Sequence, residues 1–154
     1  MSLPYRSTKT FSNLPCAHRQ HRHDGVCAFV HGYSRSFYFL FGATQLDRCG
    51  FVVDFGKLKL LKAWLDSNFD HTLLLNADDH LLPLFREVEA QGGARIILPP
   101  YGPGMEGSAH WALEAAQGFL DGDHATASRC YVVAVECREN DKNSAIYYNP
   151  EAPK

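Results

Sequence analysis

Apolar positions along the chain follow two periods, and the order in which those periods alternate lays out the elements. Residues 5–13 read as a first strand, stopped by Pro15. Residues 29–41 read as a second, because Phe29, His31, Tyr33, Arg35, Phe37 and Phe39 recur at every other position and so share one face. The period then lengthens. Leu58, Leu61, Trp64 and Leu65 recur at helical spacing behind Asp54, a helix-capping residue, and leave Lys57, Lys59 and Lys62 for solvent. A second helical stretch over 79–91 stops at Gly92 and Gly93. A short strand is expected at 95–98, followed by a Pro/Gly-rich loop over 99–104. Ala109, Leu113, Ala116 and Leu120 mark a helix over 106–120 with Gly122 beyond its end. Residues 130–135 carry the strongest strand signal, and a polar turn leads to a last strand at 144–148. Strands, then helices, then strands describe an α+β fold, an antiparallel sheet with helices packed on one face.

Length and charge narrow the classes. A chain of 154 residues reads as a single domain over 1–154, long enough to bury about two-thirds of its unfolded surface. A net charge of −2 argues against a nucleic-acid backbone as partner. No stretch approaches the roughly 20 apolar residues of a membrane span, and residues 1–6 lack the apolar core of a signal peptide. A cytoplasmic location is expected. Five cysteines without framework spacing fit reduced thiols better than disulfides.

The chemistry concentrates between Cys16 and Tyr33. His18, Cys27 and His31 lie within fourteen residues, with His21 and His23 in the loop between them. Neutral imidazoles on neighbouring strands can build a zinc site that keeps one position open, and a thiol near a cation can act as a base. The plain alternatives are a solvated cationic loop for the histidines and a small buried hydrophobe for Cys27. Likewise Asp70-His71 can be a turn pair, and Glu136 an exposed strand end.

A resemblance along the chain favours the chemical reading. Ala17-His18-Arg19 followed by Cys27-x-x-x-His31-Gly32 resembles the signature of the 6-pyruvoyl-tetrahydropterin synthase family, and the three-residue gap resembles its 6-carboxytetrahydropterin synthase branch. Phe51-Val52-Val53-Asp54-Phe55, then Phe69-Asp70-His71 with Asn76, then Val135-Glu136-Cys137 follow in the family's order over roughly residues 10 to 148. The resemblance implies a tunnelling fold (T-fold), with subunits joining edge to edge into a barrel, a homohexamer and sites at subunit boundaries. It implies a lyase that converts 7,8-dihydroneopterin triphosphate to 6-carboxytetrahydropterin, releasing acetaldehyde and triphosphate, on the route to 7-deazaguanines such as queuosine. Cys27 matches the family's catalytic cysteine, Asp70 and His71 its proton-carrying pair, and Glu136 its pterin anchor, with Glu106 a further substrate contact. Zn2+ would be held by His18 and His31.

Three departures qualify the match. Tyr33 stands where the family has the third zinc histidine, so the third ligand is Tyr33, His21 or His23, or the metal is weak or absent. Pro103-Gly104-Met105-Glu106-Gly107 replaces the family's Pro-Thr-x-Glu-Asn, and Cys137 replaces a threonine after the pterin glutamate. The rival readings are a 6-pyruvoyl-tetrahydropterin synthase activity on the same triphosphate and a non-catalytic pterin-binding protein of the same fold.

Overall fold

The computed structural model describes residues 2–154. One curled sheet of six strands runs in the order β4-β3-β1-β2-β5-β6, with β1 Tyr5–His18, β2 His31–Ala43, β3 Thr72–Leu74, β4 Ile96–Ile97, β5 Cys130–Arg138 and β6 Ser144–Tyr148. Three helices, α1 Lys59–Phe69, α2 Leu82–Ala90 and α3 Met105–Asp121, complete it. The α+β reading holds, with one correction to the sheet. β1/β2, β2/β5 and β5/β6 are antiparallel, but β3 pairs parallel to β1 and β4 parallel to β3. A parallel neighbour needs a crossover, and α1 and α2 supply it.

Three boundaries differ from the periodicity. β1 continues through Pro15 to His18 because an irregularity between Phe11 and Leu14 inserts an extra residue opposite β2, with Asn13 at φ 61°. That bulge reverses the face of β1: Phe11 pairs with Phe37 and Leu14 with Arg35, so odd positions point inward before it and even positions after it. Residues 72–74, Thr-Leu-Leu without polar alternation, form a fully buried strand. β2 starts at His31, because residues 26–28 coil into a 3-10 turn and leave Phe29 exposed.

The core lies between the sheet and α1 and α3. Leu61, Leu65 and Phe69, spaced four apart, form the inward stripe of α1, and Ala109, Ala112, Leu113, Ala116 and Leu120 that of α3. Phe37, Phe39 and Phe41 meet them from β2, each with no exposed surface, and the Phe37 and Phe69 rings stand 4.7 Å apart. Asp54 caps the 3-10 turn that leads into α1, accepting from the Gly56 amide at 2.9 Å. α3 has no such cap: Gly104 stands at its N-cap position and offers no side chain.

Candidate functional site

The ladder between β1 and β2 ends on a facing pair, His18 opposite His31. Gly32 lets the strands close there, since a Cβ would fall 2.5 Å from the Cys16 carbonyl oxygen. The two imidazole centroids stand 4.4 Å apart. His31 Nδ1 donates to the Phe29 carbonyl at 2.7 Å, which fixes the tautomer and leaves Nε2 with its lone pair. His18 is buried, and burial, the Arg35 guanidinium and His31 together push its pKa down to about 3, so its ring is neutral. Its Nδ1 has no hydrogen-bond partner although it is shut off from solvent. A buried orphan nitrogen beside a free Nε2 fits two ligands of a metal ion of the zinc type.

Among the described residues, no third imidazole stands beside this pair, and no three His, Cys, Asp or Glu side chains converge closely enough to hold an ion. His21 turns to Asn76, 3.3 Å from its Nδ1, and to Asp78, and His23 Nδ1 accepts from the Gly25 amide. Tyr33 is the next side chain on the His31 face of β2, its ring centroid 6.2 Å from that of His31.

Cys27 sits on the 3-10 turn just ahead of β2 and is half-buried. The residues that follow His18 hold that turn: the Gln20 amide donates to the Cys27 carbonyl at 2.9 Å, and Arg19 donates to the Ala28 carbonyl at 3.0 Å. Arg19 is itself gripped by Asp79 through two bonds of 2.7 and 3.1 Å. Burial works to raise the Asp79 pKa, but the hydrogen bond from Arg19, the Leu81 amide and the Arg19 charge outweigh it and hold the carboxyl below its usual range. Three other thiols are excluded as bases. Cys16, Cys130 and Cys137 are buried, and burial raises each, Cys137 to about 12. Only Cys27 and Cys49 reach solvent, and Cys49 lies in the distant loop after β2.

Asp70 and His71 close the C-terminus of α1. His71 Nδ1 and Asp70 Oδ1 are 2.7 Å apart, the His71 amide donates to the Pro15 carbonyl at 2.7 Å, and the ring is largely exposed. His71 holds φ at 54°, a left-handed conformation costly for a residue with a Cβ and frequent at functional sites. It lines an open hollow with Tyr33, Cys16 and Thr72, so β3 brings it beside the end of the β1/β2 ladder.

Glu136 stands elsewhere. It faces Tyr38 across β5/β2, seven residues along β2 from His31, which is about 23 Å of strand. Its neighbours Val135 and Cys137 point into the core, so its own side chain lies on the sheet face away from the helices. Arg138 Nε donates to one of its oxygens at 2.5 Å. Glu106 is exposed on an otherwise largely buried first turn of α3; its Oε2 and the Gln20 Nε2 would lie 3.1 and 2.9 Å from a Cβ at Gly104, so both hang over that glycine. Sequence reasoning missed Arg19, Asp79 and Arg35. Arg19 stood inside a quoted motif, whereas no spacing links Asp79 or Arg35 to the site.

A curled sheet carrying helices on one face, with paired imidazoles and a solvent-reaching thiol at one strand end, is the architecture of a T-fold protein. The comparisons agree. The family model described as 6-pyruvoyl tetrahydropterin synthase matches residues 7–150, and the chain belongs to that family. A 6-carboxy-5,6,7,8-tetrahydropterin synthase of Rickettsia typhi is 36% identical over 98 residues, 63% of this chain and 70% of that one. An uncharacterized protein of Wolinella succinogenes shares the fold with a TM-score of 0.79 at 22% identity, covering 96% of this chain and 99% of that one. A catalytic-residue mutant of the Plasmodium vivax 6-pyruvoyltetrahydropterin synthase does so at 0.66 and 15%, covering 94% and 98%. No helix is long and apolar enough to cross a membrane among the described residues.

Proposed function

We propose that the chain is a 6-carboxy-5,6,7,8-tetrahydropterin synthase-like lyase acting on 7,8-dihydroneopterin triphosphate and feeding 7-deazaguanine (queuosine) synthesis. The observation that carries this reading is the facing pair His18 and His31 beside the clamped turn of Cys27. His18, His31 and Tyr33 would hold Zn2+, which when bound polarises the substrate's side-chain oxygens and stabilises negative charge developing there. Cys27 Sγ takes a proton from a side-chain carbon. His71, its Nδ1 occupied by Asp70, offers Nε2 as the second proton carrier. Glu136 accepts from the amino and ring N–H groups of the pterin through its two oxygens, which requires Arg138 to release the one it holds.

One chain does not assemble this set. With Glu136 about 23 Å of strand from His31 and on the other sheet face, it anchors a pterin at the Cys27 turn of another copy, in a homo-oligomer such as a hexamer. Incubation of the purified zinc-loaded protein with dihydroneopterin triphosphate should release acetaldehyde. Cys27→Ala should keep its zinc and lose turnover. Loss of zinc from that variant would make Cys27 a ligand, and a pyruvoyl product without acetaldehyde would move the chain to the other branch.

A further inference from the structure

The most unusual charge in the molecule is Arg35. It is 1% exposed, on the inner face of β2 two residues after Tyr33, and among the described residues no carboxylate lies within ion-pair distance of it. A buried guanidinium without an acid is costly. Its position adds to the cost, because it lies under the N-terminus of α3, the positive end of the helix dipole. Stability alone does not account for a cation in that place.

Its two hydrogen bonds show what it does there. One terminal nitrogen donates to the Pro103 carbonyl at 2.8 Å and the other to Ser108 Oγ at 2.7 Å. Pro103 precedes the N-cap glycine and Ser108 follows Glu106 by two residues, so the planar fork grips the first turn of α3 from both sides. That turn has no side-chain cap of its own. The same turn carries the Glu106 carboxylate over Gly104, next to the Gln20 side chain, and the Gln20 amide holds the Cys27 carbonyl. The turn is also packed tightly, since a Cβ at Gly107 would fall 2.1 Å from the Tyr101 carbonyl oxygen.

We infer that Arg35 is a positioning residue that ties the first turn of α3 to β2 and sets the place of Glu106 relative to the Cys27 turn, so that it governs substrate affinity through Glu106. The role of Glu106 as a substrate contact rests on the lyase reading above; the anchoring itself does not.

The test has two arms. In the first, amide hydrogen exchange is followed in the wild type and in Arg35→Met. Faster exchange confined to residues 101–108 is expected, and unchanged exchange there overturns the proposal whatever the substrate. In the second, KM and kcat for dihydroneopterin triphosphate are measured for Arg35→Met, Arg35→Lys, Glu106→Gln and the Arg35→Met/Glu106→Gln pair. Arg35→Met should raise KM roughly tenfold or more, as a displaced contact does, with kcat nearly kept. Arg35→Lys, which keeps one of the two bonds, should fall between it and the wild type. The double variant should be no worse than Glu106→Gln alone. Effects that multiply, or a kcat that falls with KM unchanged, overturn the link to Glu106. If Arg35→Met does not fold, Ser108→Ala removes one partner and should raise KM by a smaller factor; a KM equal to that of the wild type then overturns it. A wild type that neither binds nor turns over the pterin defeats the lyase reading and the link to Glu106 together, and the exchange arm then decides the anchoring alone.

Discussion

Replacing Asp79 with asparagine tests how much the turn behind Cys27 depends on one buried ion pair. The Asp79 side chain has no exposed surface and that of Arg19 only 10%. Asparagine keeps the volume and one acceptor, so the Leu81 amide, 2.9 Å from Asp79 Oδ1, and one Arg19 bond survive. What disappears is the counter-charge, leaving a guanidinium buried and unbalanced. Removing one partner of a buried pair costs about 3–5 kcal/mol, and the surviving acceptor puts Asp79→Asn near ~3 kcal/mol. With a urea dependence of about 2 kcal/mol per molar, the unfolding midpoint at pH 7 should fall by about 1.5 M. Trp64 and Trp111, whose rings stand 4.7 Å apart in the core, report the transition by fluorescence. The pH dependence carries the sign. Because Asp79 is held below its ordinary range when folded, the unfolded chain binds more protons as pH falls through the unfolded value of about 3.9. The stability given by the ionised carboxylate is present above that value and is lost as pH falls further through the folded one. The gap between wild type and variant should therefore narrow in acid. A loss under about 1 kcal/mol at pH 7, or a gap that widens in acid, refutes the reasoning.

Three further perturbations bear on the core and the site. Phe39→Ala empties a fully buried ring position between Phe37 and Phe41 and should cost about 3–5 kcal/mol in the same urea assay; a loss below about 1 kcal/mol would show that the sheet collapses onto the void. Gly107→Ala sets a Cβ against the Tyr101 carbonyl oxygen and should destabilise by about 1–3 kcal/mol, with a crystal structure showing residues 101–104 displaced; an unmoved loop would refute the contact. Tyr33→His puts a third imidazole on the His31 face of β2 and should slow zinc loss to a chelator. Equal loss rates from the two proteins would remove Tyr33 from the metal shell.

Much of the fold could be read from the chain because its elements obey local rules. The odd-numbered aromatics of β2, the stripe of α1 behind Asp54 and the alanine-rich face of α3 each declare one buried side. The missed features depend on partners remote in sequence. Pro15 looked like a terminator because the bulge beside it leaves no periodic trace, and β3 looked featureless because a strand covered on both faces has no alternation. At the site, His18 and His31 stood out by residue type, but their facing needs β1 to run on to His18, past the end expected at 13; the Asp79 grip on Arg19 spans 60 residues and the Arg35 bonds span 68 and 73. The expected antiparallel sheet failed where α1 returns the chain to run alongside β1.

The irregularity near Asn13 governs more than a bend. Side chains of β1 count from it, and the count decides that Leu14, Cys16 and His18 look inward. Deleting one residue between Phe11 and Leu14 would remove the bulge and leave those two side chains two apart on a regular strand, both inward as now, whereas deleting one residue between Leu14 and His18 would turn His18 outward and part the imidazoles. The bulge is thus slack in the count: a scan of single-residue deletions along β1 should find tolerance near Tyr5 and at positions 12 and 13, and none between Leu14 and His18.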